Sequence, residues 1–120
     1  SYVSILNNCA YSLENHWKNA AHLIDDAKKS DAIEKALWSK MPQDVFDGVE
    51  LEMLRYAEKL TLRPSSMVQE DVLALKAVGA EDGEILELNQ IVGYFNYVNR
   101  LLNGLGVTTS GDTVGFYKPD

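Results

Sequence analysis

Apolar residues recur at helical spacing along most of the chain. Between positions 9 and 26 they return every three or four residues as one stripe, Cys9, Leu13, Trp17, Ala20 and Ile24. Polar residues occupy the opposite face, namely Glu14, Lys18, His22 and Asp25. The same spacing predicts further helices over 2–6, 31–38, 49–60, 69–78 and 82–103. No segment alternates apolar and polar residues as a strand does, so the predicted fold is all-α.

Short polar or glycine-containing segments separate these helices. Asn7-Asn8 interrupts the first, and either asparagine can cap the helix that follows. Ser30-Asp31 is predicted to cap the third helix. Gly79 is predicted to end the fifth helix in the left-handed conformation that glycine adopts most readily.

The last and longest helix organises the C-terminal half of the chain. Its apolar stripe is predicted to form a core face and comprises Ile85, Leu88, Ile91/Val92, Phe95, Val98 and Leu102. The aromatic and asparagine-rich stretch 94–100 is interpreted as a buried part of this helix, whose polar groups bond to neighbouring elements. The prediction is one helical domain over 1–106 and a C-terminal tail over 107–120, of which only 114–117 is expected to pack.

Composition and charge narrow the classes of function. The chain has 120 residues and a formal net charge of -7, and its basic residues never cluster beyond a pair such as Lys28-Lys29. Binding to nucleic acid or to an anionic membrane surface needs basic patches, so neither is expected. The sequence shows no signal peptide and no apolar run of about 18 residues, which makes the cytoplasm the expected location.

The single cysteine lies in a segment that combines a thiol, a hydroxyl and an imidazole, Cys9-x2-Ser12-x3-His16. On a helix these three residues fall within a sector of roughly 60°. A thiol at a helix start with an imidazole nearby favours thiolate chemistry, although Glu14 should keep the activation mild. Structural interpretations stay open: a small buried hydrophobe for Cys9, a core histidine for His16, and for Ser12 a first-turn residue that bonds a free backbone N–H.

No cofactor or metal site is predicted. One cysteine and two histidines on different helix faces do not make a set of metal ligands. His22 is expected to be exposed on the polar face and is given no role. A single cysteine also cannot form an internal disulfide, so nothing in the sequence indicates an oxidising compartment.

The segment Asn8-Cys9-x-Tyr11-Ser12-x3-His16 resembles the CxxCxxxH region of the alkylhydroperoxidase D-like, or carboxymuconolactone decarboxylase-like, proteins. Within that family the similarity is to the peroxidase-related branch, and it continues in order through 54–61, 70–72 with 77–79, 85–86, 94–107 and 111–117. The resemblance implies an alkylhydroperoxidase D-like helical bundle and a homo-oligomer such as a trimer or hexamer. A dimer is also considered, because it is the commonest closed oligomer in general. It also implies an antioxidant oxidoreductase whose site residues are Cys9, Ser12 and His16.

Two departures alter the activity that the resemblance implies. The family's second cysteine falls on Ser12, and an alcohol cannot cycle through sulfenic acid and disulfide states. The chain also begins too close to Cys9 to contain the family's N-terminal helical segment with its glutamate, so we expect a fragment or a shortened form. The expected chemistry is weak, one-cysteine reduction of a peroxide or disulfide, with His16 as the base through Ser12 or water and an external thiol for turnover.

Two other classes of function stay open. The chain can be a non-catalytic member that acts as a small-molecule binding or structural oligomeric protein. A lyase acting on a lactone acid is less favoured, because no cluster of Arg or Lys lies near the motif to hold a carboxylated substrate. For the oligomer, the apolar face around Ile91, Phe95 and Val98 and the helix over 49–60 are the predicted contact surfaces.

Overall fold

The computed structural model describes residues 1–111, and within this range the secondary structure is entirely helical. The helices are α1 (Tyr2–Leu6), α2 (Ala10–Ile24), α3 (Ala27–Trp38), α4 (Gly48–Leu62), α5 (Gln69–Ala77) and α6 (Asp82–Leu105), with short 3₁₀ turns at Pro42–Asp44 and Pro64–Ser66. The all-α prediction is therefore confirmed. The predicted packing of 114–117 lies outside the described residues.

The short helix α1 lies at the centre of the bundle, where α2, α3, α4 and α6 all contact it. All five of its residues are buried. Tyr2, Ile5 and Leu6 join a core cluster with side chains of α2 and α3, which are Leu13, Ile33 and Leu37. On the other side of α1, Val3 packs with Ala57 of α4 and Val92 of α6. A five-residue helix is unstable alone, so burial by four neighbours is what holds α1 in place.

Two helix starts differ from the prediction. The helix α3 begins at Ala27, four residues before the predicted start, because the Asp26 side chain accepts a hydrogen bond from the Lys29 N–H at 3.1 Å and caps it there. Ser30 is instead a buried residue inside the helix. The helix α2 is preceded by Cys9 as its N-cap residue rather than by a capping asparagine side chain.

Gly79 follows α5 as predicted, whereas α6 ends two residues later than predicted. Gly79 has a φ of 97° and Gly106 has a φ of 67°, the left-handed region in which glycine is unstrained. The helix α6 extends through Leu105, so Gly106 is the residue that ends it.

The apolar residues of α6 lie on two faces. Val92 is buried, and Phe95 and Val98 are half-buried against the bundle, as the core-face prediction requires. Tyr94 and Tyr97 are 60% and 66% exposed, and Arg100 is exposed and donates to Asn96 of the same helix. The interpretation of the whole stretch 94–100 as buried is therefore wrong for these three side chains. In the described part of the chain, none of the helices is both long enough and apolar enough to cross a bilayer.

Candidate functional site

The turn between α1 and α2 is held in place by three asparagines of α6. The Asn7 side-chain amide donates to Asn96 Oδ1 at 2.9 Å and to Asn99 Oδ1 at 3.1 Å. The Asn103 side-chain amide donates to the Asn7 carbonyl oxygen at 2.9 Å. Asn8 then adopts a left-handed conformation with a φ of 50°, which asparagine tolerates better than most residues. Because Asn7 is committed to α6 and Asn8 turns the chain, neither caps α2, and Cys9 takes the N-cap position.

Cys9 lies at the N-terminus of α2 with its side chain turned inward. Its backbone N–H donates to the Ser4 carbonyl at 2.9 Å, and its own carbonyl accepts the N–H of Leu13 at 3.0 Å. The residue is 1% exposed, so its thiol is buried in the folded chain. Cys9 does border a cavity of about 200 Å³, whose other lining residues are Ser4, Asn8, Ala10, Leu13, Glu14 and Trp38. A cavity of about 150 Å³ accepts a ligand the size of benzene, so a small organic molecule fits beside the thiol.

Ser12 is buried within a chain of hydroxyl and amide groups. It is 2% exposed, and its Oγ accepts a hydrogen bond from Ser4 Oγ at 2.9 Å. Ser4 Oγ in turn accepts from Asn99 Nδ2 at 3.3 Å. Ser12 is therefore a partner of α1 rather than a first-turn residue that bonds a backbone N–H. Over residues 1–111, no hydrogen bond joins Ser12 to His16, so this structure does not form the predicted relay through Ser12.

His16 lies one turn further along α2 and packs on α6. Its ring meets the ring of Phe95 edge-on, with centroids 4.7 Å apart and planes at 90°. Partial burial lowers the pKa of His16 below its ordinary value, because the charged imidazolium is less well solvated there than in water. The imidazole is therefore mainly neutral at pH 7, which is the form that accepts a proton.

A second, larger cavity adjoins the first. It measures about 460 Å³, and Asn8, Ala10 and Glu14 line both cavities. Its remaining walls come from the α1–α2 turn, the first turn of α2, the end of α6 and the segment after α6. These residues are Asn7, Tyr11, Leu102, Asn103, Gly106, Val107, Thr108 and Thr109. The Thr109 hydroxyl donates to the Glu14 carboxylate at 2.6 Å and joins this segment to α2.

The structure gives Cys9, Ser12 and His16 different surroundings. Cys9 borders a cavity, Ser12 belongs to a buried network, and His16 contacts an aromatic ring. Trp38 and Ser4 also line the Cys9 cavity, and no pattern in the sequence points to either, since both reach the site from other helices. His22 is exposed, as predicted. Among residues 1–111, no group of three or more His, Cys, Asp or Glu is placed to hold a metal ion.

Comparison with known proteins relates this fold to one class. The chain matches no protein-family model and no curated protein. Among solved structures it is similar to a protein described as peroxidase-related, which supports a relationship to peroxidase-related proteins. That structure is an uncharacterized peroxidase-related protein from Silicibacter sp. TM1040, with a TM-score of 0.76 and 26% sequence identity. The similarity covers 89% of this chain and 54% of that one, so the chain spans about half the length of the protein it matches.

Proposed function

We propose that this chain is an alkylhydroperoxidase D-like helical unit of a peroxidase-related protein, with Cys9 as a one-cysteine thiol that reduces a small hydroperoxide or disulfide. The observation that carries the proposal is the position of Cys9, at a helix N-terminus and in the wall of a cavity of about 200 Å³. The similarity to an uncharacterized peroxidase-related protein supports the same class of chemistry.

The chemistry follows from the groups present at the site. The Cys9 thiolate attacks one oxygen of the hydroperoxide, an S–O bond forms, and the O–O bond breaks to release an alkoxide that takes up a proton as the alcohol. The sulfur is oxidised by two electrons to a sulfenic acid, and the peroxide is reduced by two. The lowered pKa of His16 favours the neutral form that accepts a proton. Its ring lies outside the Cys9 cavity and seven residues from Cys9, about 10 Å along a helix axis, so it acts as the base only through more than one intervening water.

Regeneration requires a thiol from outside the chain. The chain contains one cysteine, so the sulfenic acid has no internal partner. An external thiol condenses with it and releases water, which leaves a mixed disulfide on Cys9. A second external thiol attacks that disulfide, restores the Cys9 thiol and leaves as the oxidised reductant. The protein would turn over slowly, at a rate set by access of the external thiol to the cavity.

Trapping of the oxidised cysteine tests this proposal. The folded protein is treated with one equivalent of tert-butyl hydroperoxide in the presence of dimedone, which captures sulfenic acids, and its intact mass is measured. We expect one adduct at Cys9 and none in Cys9→Ala. In a parallel sample, thiol added in place of dimedone should instead give a mixed disulfide at Cys9. Absence of the adduct in the folded protein, with normal thiol alkylation after unfolding, would refute the proposal.

The second candidate function is a non-catalytic, ligand-binding or structural member of the same class. The burial of Ser12 in a network with Ser4 and Asn99 favours it, because this network gives the motif serine a structural role. Under this alternative, small apolar ligands enter the Cys9 cavity without reacting. Trp38 lines that cavity, so binding would change its fluorescence in both the parent chain and Cys9→Ala.

We further propose that the chain forms a homo-oligomer through α6. Four apolar side chains at spacings of three and four residues stay exposed along this helix: Tyr94 at 60%, Tyr97 at 66%, Leu101 at 49% and Leu105 at 73%. This stripe is offset from the predicted contact face, since Phe95 and Val98 are half-buried within the chain. A continuous apolar stripe on a helix is typical of a protein–protein contact.

A further inference from the structure

Glu14 is the one charged residue among the described residues that line the two adjoining cavities. Its carboxylate lies at their shared wall, where the Thr109 hydroxyl donates to Oε2 at 2.6 Å. The remaining lining of the Cys9 cavity is uncharged, with Leu13, Ala10 and Trp38 as its apolar walls. A molecule that approaches the thiol through either cavity therefore meets one negative charge and no positive one.

We infer that Glu14 is the specificity determinant of the Cys9 site, which accepts uncharged or cationic partners and disfavours anionic ones. This inference rests on the proposed reactivity of Cys9. It identifies the external thiol that regenerates the site as a small uncharged or cationic thiol, rather than a peptide thiol with a net negative charge. It likewise identifies the peroxide substrate as an uncharged alkyl hydroperoxide.

The physical basis is the position of the charge relative to the sulfur. Glu14 is five residues after Cys9 on α2, which corresponds to about 7.5 Å along a helix axis. At that separation, one unit charge changes the local concentration of a singly charged reagent about 2.5-fold at the dielectric constant of bulk water, and by more at the lower effective dielectric constant near a protein surface. The remaining acidic residues add a diffuse repulsion that salt screens beyond about 8 Å. The local effect of Glu14 therefore exceeds that of any other single carboxylate on the surface.

Charged thiol reagents of matched shape test the inference. Methanethiosulfonates that carry a sulfonatoethyl or a trimethylammonioethyl group react with a thiolate, form a protein–reagent disulfide and release methanesulfinate. The cation-to-anion rate ratio at Cys9 is measured for the parent chain, for Glu14→Gln and for Glu70→Gln. Both variants change the net charge by one, but Glu70 is exposed on α5, which does not contact α2. The glutamine introduced by Glu14→Gln retains an amide oxygen that can accept from Thr109, so the fold is preserved.

The expected result is a cation-to-anion rate ratio that falls at least about sixfold in Glu14→Gln, because loss of the charge slows the cation and speeds the anion by about 2.5-fold each. In Glu70→Gln the ratio should stay within about twofold of the parent. High salt should reduce the parent ratio toward that of Glu14→Gln. Equal ratios in the two variants, with Cys9 reacting in both, would overturn the inference and leave the proposed function intact. No reaction with either reagent until the chain is unfolded would overturn both.

Discussion

Replacement of Ser12 by cysteine should convert the site into a two-cysteine redox centre. Residues three apart at a helix start have Cα atoms about 5 Å apart, which is within the 4.4–6.8 Å that disulfides span. Ser12→Cys therefore places a second thiol where it can attack a sulfenic acid on Cys9. The product is an internal disulfide, and a dithiol reductant can then return the site to its reduced state.

The structure also indicates how much stability the Ser12→Cys substitution should remove. Ser12 accepts a hydrogen bond from Ser4 at 2.9 Å in a fully buried setting, and a thiol sulfur is a weak acceptor. The reduced variant should lose about 0.5–1.5 kcal/mol of stability, the usual net value of one hydrogen bond. For a chain of this size that is roughly 2–6 °C in Tm. The oxidised variant should recover about 2 kcal/mol, which the chain-entropy model gives for a closed loop of four residues.

The assay combines three readouts on the same protein. The intact mass of Ser12→Cys after one equivalent of peroxide should show the loss of two hydrogens. Its Tm should be lower than that of the parent when the variant is reduced and should rise when it is oxidised. Its consumption of peroxide with a dithiol should exceed that of the parent. Ser30→Cys is the matched control, because Ser30 is also a buried serine but belongs to α3. If Ser12→Cys forms no disulfide and consumes no more peroxide than Ser30→Cys, the assignment of this segment as a redox motif is refuted.

Three further predictions test the surroundings of the site. Asn99→Ala should lower the free energy of unfolding by about 2–4 kcal/mol, because Asn99 is 0% exposed and hydrogen-bonds to both Asn7 and Ser4. Urea denaturation measures this change, and a loss below about 1 kcal/mol would contradict the prediction. Because the pKa of His16 is lowered in the folded chain, the unfolded chain binds more protons than the folded chain at mildly acidic pH. The free energy of unfolding should therefore be greatest above about pH 6.5 and decline as pH falls through the folded-state pKa. This decline should be smaller in His16→Gln. Light scattering should give a mass that is a multiple of the chain mass, and Leu101→Glu on α6 should lower it. The control is Leu23→Glu, which changes an exposed leucine of α2. A monomeric parent, or an equal effect of the two substitutions, would exclude the α6 contact.

Helical periodicity was sufficient to predict the fold class and nearly all of the helices. Each helix buries one face, so its apolar residues repeat in the sequence, and the stripe from Leu13 to Ile24 contributes to the core as expected. The predicted start of α3 was wrong because two capping candidates lie close together, Asp26 and Ser30. Which of them caps depends on where α2 ends, and Asp25 ends it with a φ of 50°.

The surroundings of the site were less predictable because they depend on contacts distant in sequence. The asparagines of α6 were expected to bond neighbouring elements, and Asn96, Asn99 and Asn103 do so. Nothing in the sequence indicates that their main partner is the turn before Cys9, where Asn7 lies 89 residues from Asn96 along the chain. Burial of Ser12 against Ser4 also follows from the packing of α1 between four helices, which local periodicity does not describe.

The central claim is that folding makes Cys9 a reactive thiol rather than a buried hydrophobic residue. The most direct test compares the rate constant of Cys9 oxidation by tert-butyl hydroperoxide in the folded chain with that in the urea-unfolded chain at the same pH. We expect a faster reaction in the folded chain, because the helix N-terminus, His16 and the adjoining cavity act only there. A folded chain that reacts more slowly than the unfolded one would contradict the claim, since the 1% exposure of Cys9 would then simply protect the thiol.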